Sequence, residues 1–480
     1  MIKYLKITVV LITAVSSAQV QAQETPGSWR WEDVPEEKMV LFIGNDTISN
    51  NAEAITTNKN QWWKAFGYKT LDSLIERAFV NNIDIKIAQA KVVQARASKN
   101  IALSSMFPTI RFEPSFSRQE FSANRPNPFG GQLTRATLST VEAPVTLSYE
   151  LDVFGKNINN VQAQSLLSKA REENKKEILL EITAEIAINY FLLLQLDAEI
   201  DLLKHTEQTR LDNLNIASTR YNAGLVSQID ELRAKTELAS VQVQLKNTKK
   251  LRSEIELILA ILVGEDASTF KIPHSNIKYL PPAVAFLEKD SLLNSRPDLR
   301  ASKLLIESSG KLVNNQKKQL LPSFHVSGAY GYLSGDTDNL IESDSRTWFA
   351  GVTASLPLFE GGKKSSEIKL RKSELEESRQ NYNRLKLQSY REVENSFARL
   401  QWVHEQLISQ QEFVVAARDA SNLTNERYRK GLVNYIDVVD AERQVLEAER
   451  LSVQLFGQEL TERIALIKAL GLYPEHVLED

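Results

Sequence analysis

The segment Arg220-Tyr221-Asn222-Ala223-Gly224-Leu225-Val226 recurs as Arg427-Tyr428-Arg429-Lys430-Gly431-Leu432-Val433, an offset of 207 residues (427 − 220). The same offset carries Gly155-Lys156 onto Gly362-Lys363, Asp230 onto Asp437, and Leu262-Val263-Gly264 onto Ala469-Leu470-Gly471. Further upstream the offset is 214: Asp84 maps onto Asp298, and Phe107-Pro108 onto Leu321-Pro322. The difference falls between each Pro and the next Gly-Lys, so a connection of variable length belongs there, on the surface. Matches in this order over so long a period are a duplicated domain, not a short solenoid repeat. The fold must therefore be built twice.

Each copy has one plan. A helix from about Leu71 to Met106, and again from about Ala283 to Leu320, is followed by a strand pair and then by two long helices. Residues 156–223 and 363–430 contain no Gly and no Pro. At the helical rise each stretch reaches about 100 Å. The stretches 225–263 and 432–470 are nearly as clean, with Gly457 the one break. Helices of this length supercoil in pairs. Leu238, Val241, Leu245, Ile255, Leu259 and Leu262 keep three-and-four spacing, while Thr248 and Arg252 interrupt the seam. Such polar positions are expected where a helix face lines water.

The strand pairs span 109–153 and 323–358. In Val145-Thr146-Leu147-Ser148-Tyr149-Glu150-Leu151-Asp152-Val153 apolar and polar side chains alternate strictly. Ile110, Phe112 and Phe116 repeat the pattern, as do Phe324, Val326, Tyr330 and Tyr332, and then Trp348, Ala350, Val352, Ala354 and Leu356. Segments of about ten residues, apolar on one side and polar on the other, suit a barrel strand around a wet lumen. They suit a soluble sandwich equally well.

Residues 1–22, together with the long helices, favour the barrel. Lys3 and Lys6 precede an apolar run from Ile7 to Val15, and Val20-Gln21-Ala22 offers a cleavage site: the pattern of a secretory signal. The run is too short to span a bilayer, which needs about 20 residues. Removing it takes two Lys from a chain of net charge −3, leaving −5. No other stretch is apolar enough for a transmembrane helix, so any membrane span is a β-barrel. Four strands cannot close an open-lumen barrel, since small barrels use about eight. Three chains of four strands make twelve. The near-balanced charge gives no reason to expect nucleic acid as a partner. Cysteine is absent, which removes disulfides, thiolate metal sites and thiol catalysis. The five histidines, at 205, 274, 325, 404 and 476, form no paired helical zinc spacing. No catalytic, cofactor or metal site is expected. Gly130-Gly131 and Gly361-Gly362 read as loop glycines.

Trp62-Trp63, Asn81-Asn82-Ile83-Asp84-Ile85, Phe107-Pro108, Leu151-Asp152-Val153-Phe154-Gly155-Lys156, Arg296-Pro297-Asp298-Leu299 and the two Arg-Tyr-x-x-Gly-Leu-Val turns together resemble the TolC/OprM outer-membrane efflux family, over nearly the whole mature chain. The Trp-Trp and Arg-Pro-Asp-Leu segments favour its OprM-like branch. The resemblance implies an α+β membrane protein: a homotrimer with a twelve-stranded outer-membrane β-barrel in lipid, continued by a periplasmic α-helical barrel. It implies a passive duct without catalysis, served by a periplasmic adaptor and an inner-membrane pump of RND type. The division that follows is a signal at 1–22, an N-terminal periplasmic segment at 23–70, repeats at 71–282 and 283–473, and a tail at 474–480. One departure is the missing lipidated Cys after the signal, which leaves anchoring to the barrel.

The resemblance also assigns residues. Gly224, Leu225, Val226, Gly431, Leu432 and Val433 are implied as the periplasmic tips that meet the adaptor. Asp437 and Asp440, three apart on one helix face, are implied as carboxylate rings at the entrance, which favour cations. They read equally as acids at a helix start, where the dipole favours them. Asp230 and Tyr428 match a pair that bonds neighbouring helices and holds the tip closed. An Arg frequent in that lock is Val433 here. Two rivals stay open: a protein-secretion duct of the same architecture, and a periplasmic coiled-coil protein with a soluble β-domain.

Overall fold

Each stretch free of Gly and Pro forms one unbroken helix, and glycines with left-handed backbone punctuate them at matching places in both halves. The computed structural model describes residues 59–126, 130–131, 134–277 and 295–474; the signal at 1–22 and most of the segment 23–70 lie outside them. After a 3-10 segment (Lys59–Phe66), the elements in chain order are α1 (Lys69–Asn81), α2 (Ile83–Ser104), β1 (Thr109–Phe112), β2 (Ser115–Phe121), β3 (Ala136–Leu151), α3 (Lys156–Asn222), α4 (Gln228–Val263), α5 (Pro297–Lys318), β4 (Ser323–Ser334), β5 (Arg346–Ser355), α6 (Lys363–Arg429) and α7 (Tyr435–Ala469). Helices α3 and α6 are each 67 residues and lie 207 apart at both ends. Helices α2 and α5 lie 214 apart at both ends. Gly155 and Gly362 precede the long helices and Gly224 and Gly431 follow them, all at φ between 71° and 84°.

Two expected boundaries are corrected. The helix expected over Leu71–Met106 is two helices, broken at Asn82 (φ −58°, ψ 131°). Asn82 caps α2, its side chain accepting from the Ile85 N–H at 3.0 Å and donating to the Leu262 carbonyl at 2.7 Å. In the second copy Arg296 donates to the Ala469 carbonyl at 3.0 Å. Asn82 and Arg296 are 214 apart and Leu262 and Ala469 are 207 apart, so the duplication reaches down to one hydrogen bond. The part of that copy's helix expected from Ala283 lies outside the described residues up to 294. The second long helices begin at Gln228 and Tyr435, three residues later than expected, because Ser227 and Asn434 cap them.

The main core wraps the middle of the long helices. Trp62, Trp63, Phe66, Leu71 and Ile75 bury against Leu179–Leu194 of α3, Leu259 and Val263 of α4, and Leu460 and Ile464 of α7. Phe66 meets Phe191 at 5.1 Å and Tyr68 meets Tyr190 at 5.8 Å between ring centres. Beyond this belt the apolar contacts thin into small clusters, and polar residues fill the seams. Thr248 is buried, and Arg252 bonds the fully buried Asp197 at 2.5 Å. The expectation that these seam positions line water is thus overturned: Thr248 is buried, its hydroxyl bonded to the Gln244 carbonyl of its own helix, and Arg252 faces α3, where a paired charge replaces apolar contact.

The strands form one antiparallel sheet in the order β1-β3-β4-β5, with β2 also on β3. β1 and β2 hold the same register on β3, one strand interrupted at Pro114, which has no N–H to donate. The register fixes the faces. Ile110, Leu147, Gly328 and Ala350 make one row, and Phe112, Val145, Tyr330 and Trp348 the next. Tyr149, Val326 and Val352 continue the same face. The opposite face carries Arg111, Thr146, Ser148, Glu150, Ser327 and Thr353, with Phe349 and Leu333 among them. None of these apolar strand residues joins the core; Trp348 is 75% exposed and Val352 69%. Among the described residues no helix is long and apolar enough to cross a membrane.

Candidate functional site

The two turns after the long helices are near copies. Leu225 N–H bonds the Arg220 carbonyl, and Leu432 N–H the Arg427 carbonyl, both at 2.9 Å. With Gly224 and Gly431 left-handed, each is the glycine-dependent cap that satisfies the last carbonyls of a helix. The turn then aims a leucine outward: Leu225 is 74% and Leu432 65% exposed. Val226 and Val433 are half-buried beside them.

At the start of α7 the two aspartates have local partners. Asp437 closes a capping box: its carboxylate accepts from the Asn434 N–H at 3.0 Å, while the Asn434 side chain accepts from the Asp437 N–H. Both aspartates are exposed. Asp440 lies 3.9 Å from Arg443, one turn on. Asp230 holds the equivalent place in α4, its N–H bonded to the Ser227 carbonyl at 3.1 Å and its carboxylate 4.0 Å from Arg233.

The expected bond between Asp230 and Tyr428 is not made within the chain. The Tyr428 hydroxyl is buried without a hydrogen-bond partner, and its ring is occupied otherwise. Arg220 of the first turn stacks over it at 5.0 Å, and Tyr435 meets it at 5.5 Å. Burial pushes the Tyr435 phenol up to about 12, so it stays neutral at ordinary pH. The tips thus join through an arginine on an aromatic face, which favours a cation where a carboxylate was expected.

A ladder of charged bonds just beyond the tips had no signal in the sequence reading. Arg210 of α3, buried, pairs with Glu442 of α7, and Asn213 bonds both Glu442 oxygens at 3.0 and 3.1 Å. Arg443 of α7 pairs with Glu237 of α4 through two nitrogens, one at 3.1 Å. Arg450 reaches Glu199 of α3 at 2.6 Å and Gln244 of α4 at 3.2 Å. These bonds join the α3–α4 hairpin to α7 across 206 to 251 residues of chain, a separation at which no local spacing rule operates. The Glu237 hydrogen bond raises the Arg443 pKa, while burial lowers that of Arg210.

The profile described as outer membrane efflux protein matches residues 74–265 and 289–472. The antibiotic efflux pump outer membrane protein ArpC of Pseudomonas putida is 24% identical over 455 residues, 94% of this chain and 91% of its own length. The pyoverdine export outer membrane protein OpmQ of Pseudomonas aeruginosa is 27% identical over 424 residues, 86% of this chain and 87% of its own length. Among solved structures, the outer membrane protein VceC of Vibrio cholerae superposes with a TM-score of 0.79 at 24% identity, covering 87% of this chain and 99% of VceC.

Proposed function

We propose, from the premise that this chain belongs to the outer membrane efflux protein family, that it is the exit duct of a three-part pump and that three copies enclose one continuous channel. The observation that carries this reading is the sheet. Among the described residues nothing covers its apolar face, and lipid is the solvent that removes the cost of exposing it. Asp152, just past β3, accepts from the Ile158 N–H at 2.8 Å, so the sheet passes into a 67-residue helix within a few residues. A barrel in lipid would then lead into helices about 100 Å long, enough to reach far from the membrane toward a partner.

In this reading the barrel has twelve strands, four from each of three chains. The leucine-bearing turns at Gly224-Leu225-Val226 and Gly431-Leu432-Val433 meet a periplasmic adaptor, and an inner-membrane pump of RND type supplies the driving force. The relatives are named for antibiotic efflux and pyoverdine export, which favours small solutes over unfolded protein as cargo. Asp437 and Asp440 line the entrance and select cations, with Asp230 and Tyr428 flanking it. The test is electrical. Purified protein in a planar bilayer should conduct, and Asp437→Asn with Asp440→Asn should lower cation preference and weaken block by a trivalent cation while conductance persists. Asn at 437 keeps an acceptor for the capping bond, so the change isolates charge. Unchanged selectivity and block would leave these aspartates as helix-start residues only.

A further inference from the structure

The apolar face of the sheet has a definite height. From Leu151, opposite Phe324, to Val141, opposite Ser334, is ten residues of β3 (151 − 141), about 33 Å along the strand. At the tilt of a barrel strand this rises about 25 Å, the height of an apolar band in lipid. Over that length the face carries no charged residue on any strand. Charge enters it only at the end away from the helices. There Arg118 lies two residues beyond Phe116, opposite Ser139, and Arg346 opens β5 two residues before Trp348, opposite Tyr332. Phe116, Tyr330 and Trp348, all largely exposed, form an aromatic fringe beneath them, as at a membrane interface. Both arginines are exposed. Glu120, the only acid on this face among the described strand residues, is held by Arg135 at 2.9 Å. Among the described residues neither Arg118 nor Arg346 makes an ion pair. Arg111, on the polar face, lies 3.7 Å from Glu113.

We propose that Arg118 and Arg346 bind the phosphate groups of outer-leaflet lipid, making this rim of the sheet a lipid-headgroup site. The inference rests on the channel reading above, which puts the apolar face in lipid and the end away from the helices outside the cell. A guanidinium offers paired donors to phosphate oxygens, and each arginine stands where the hydrocarbon gives way to headgroups. The lysines beyond the other end of the sheet, Lys156, Lys318 and Lys364, are bonded within the chain to Glu150, the Gly155 carbonyl and Gln319. The unpaired bases of this face therefore mark one leaflet. Its first hairpin is the stronger half. The loop after β4 adds Asp336, Asp338, Glu342 and Asp344 beyond Arg346, whereas the charged residues of 122–135 are Arg125 and Arg135 alone. Of these, Arg125 is turned back on its own loop, donating to the Ser122 and Thr134 carbonyls, which leaves Arg118 as the main phosphate ligand.

The purified oligomer in non-ionic detergent, mixed with diphosphorylated lipid A and read by native mass spectrometry, should retain the lipid. Arg118→Gln should weaken retention by about fivefold, the scale of one arginine at an anionic surface. Arg346→Gln should weaken it by less, and the double variant by more than either. Arg111→Gln, on the polar face, should bind as wild type does. Lipid A stripped of both phosphates should be held weakly, and millimolar inorganic phosphate should not displace the phosphorylated lipid. The mass itself reports the oligomer, so misassembly is scored apart from lipid loss. If the double variant retains lipid as wild type does, or if Arg111→Gln loses as much, the rim site is wrong. If inorganic phosphate displaces the lipid, the arginines hold a free ion and the headgroup site is wrong. Conductance of the wild type in a planar bilayer separates the two readings. A protein that conducts without a rim site keeps the channel reading, and one that neither conducts nor retains lipid loses both.

Discussion

Asp437 shows how one side chain serves structure and, in the proposed duct, selectivity. Its carboxylate accepts the Asn434 N–H and remains exposed, so removing the whole group has two effects. Asp437→Ala should lose the capping bond as well as the charge, at about 0.5–2 kcal/mol of local helix stability, whereas Asp437→Asn should lose the charge alone. Hydrogen exchange at the α7 N-terminus should rise in the alanine variant only. The reading of Asp437 as an acid near a helix start was available from the sequence, because capping follows local spacing. The ladder of Arg210, Glu442, Arg443 and Glu237 was not, because each pair spans 206 residues or more. Glu459 gives a pH prediction of the same grain. Burial alone would raise its carboxyl, but His404, at 3.9 Å, and Arg463, at 2.6 Å, outweigh burial and hold it below its usual 4.5. A carboxylate depressed in the fold stabilises above the unfolded pKa and loses that contribution as pH falls through the folded one. Thermal stability should drop as pH falls from about 4.5, and Glu459→Gln should flatten that limb of the melting profile.

At the scale of elements, helices and strands differ in how much of their setting the sequence discloses. Helix ends are set by Gly224, Gly264, Gly431 and Gly471, all left-handed, and such positions are visible in a single sequence. The break at Asn82 combines a local cap on the Ile85 N–H with a bond to the Leu262 carbonyl in another helix, and only the second lies beyond local spacing. The buried polar seam of α4 lies beyond it too: Arg252 makes sense only once Asp197 is opposite it. Strand faces were legible from alternation, and the register then puts the alternating apolar positions of β1 to β5 on one side. A pairwise substitution tests which side meets lipid. Leu147 and Ser148 are adjacent on β3 and point to opposite faces. Leu147→Arg puts a charge on the apolar face at about 2–4 kcal/mol near the bilayer midplane, while Ser148→Arg puts it on the polar one. The amount of folded, heat-modifiable oligomer in membranes should fall sharply for the first and little for the second. Equal losses would mean that the apolar face does not meet lipid.

At the scale of the whole molecule, the sheet is incomplete in one chain. Its outer strands, β1 with β2 at one edge and β5 at the other, are separated by β3 and β4, and an unpaired edge is a template for another chain. The core in the middle of the long helices does not include these strands, so among the described residues nothing closes the sheet. A symmetric ring of three copies would close it by pairing each β5 with the next copy's β1. The register supplies a discriminating test: Arg111, Thr146, Ala329 and Phe349 form one row on the polar face. Within a chain, positions 111 and 349 are therefore three strand spacings apart, about 14 Å, beyond the span of a short bismaleimide. Across a closing junction the same edges would be neighbours. In a chain with no cysteine of its own, Arg111→Cys with Phe349→Cys should cross-link through a short bismaleimide only between chains. Denaturing electrophoresis should show species of one, two and three chains and nothing larger. A ladder that continues past three would give the ring more members, and single chains alone would mean that the edges meet something other than each other.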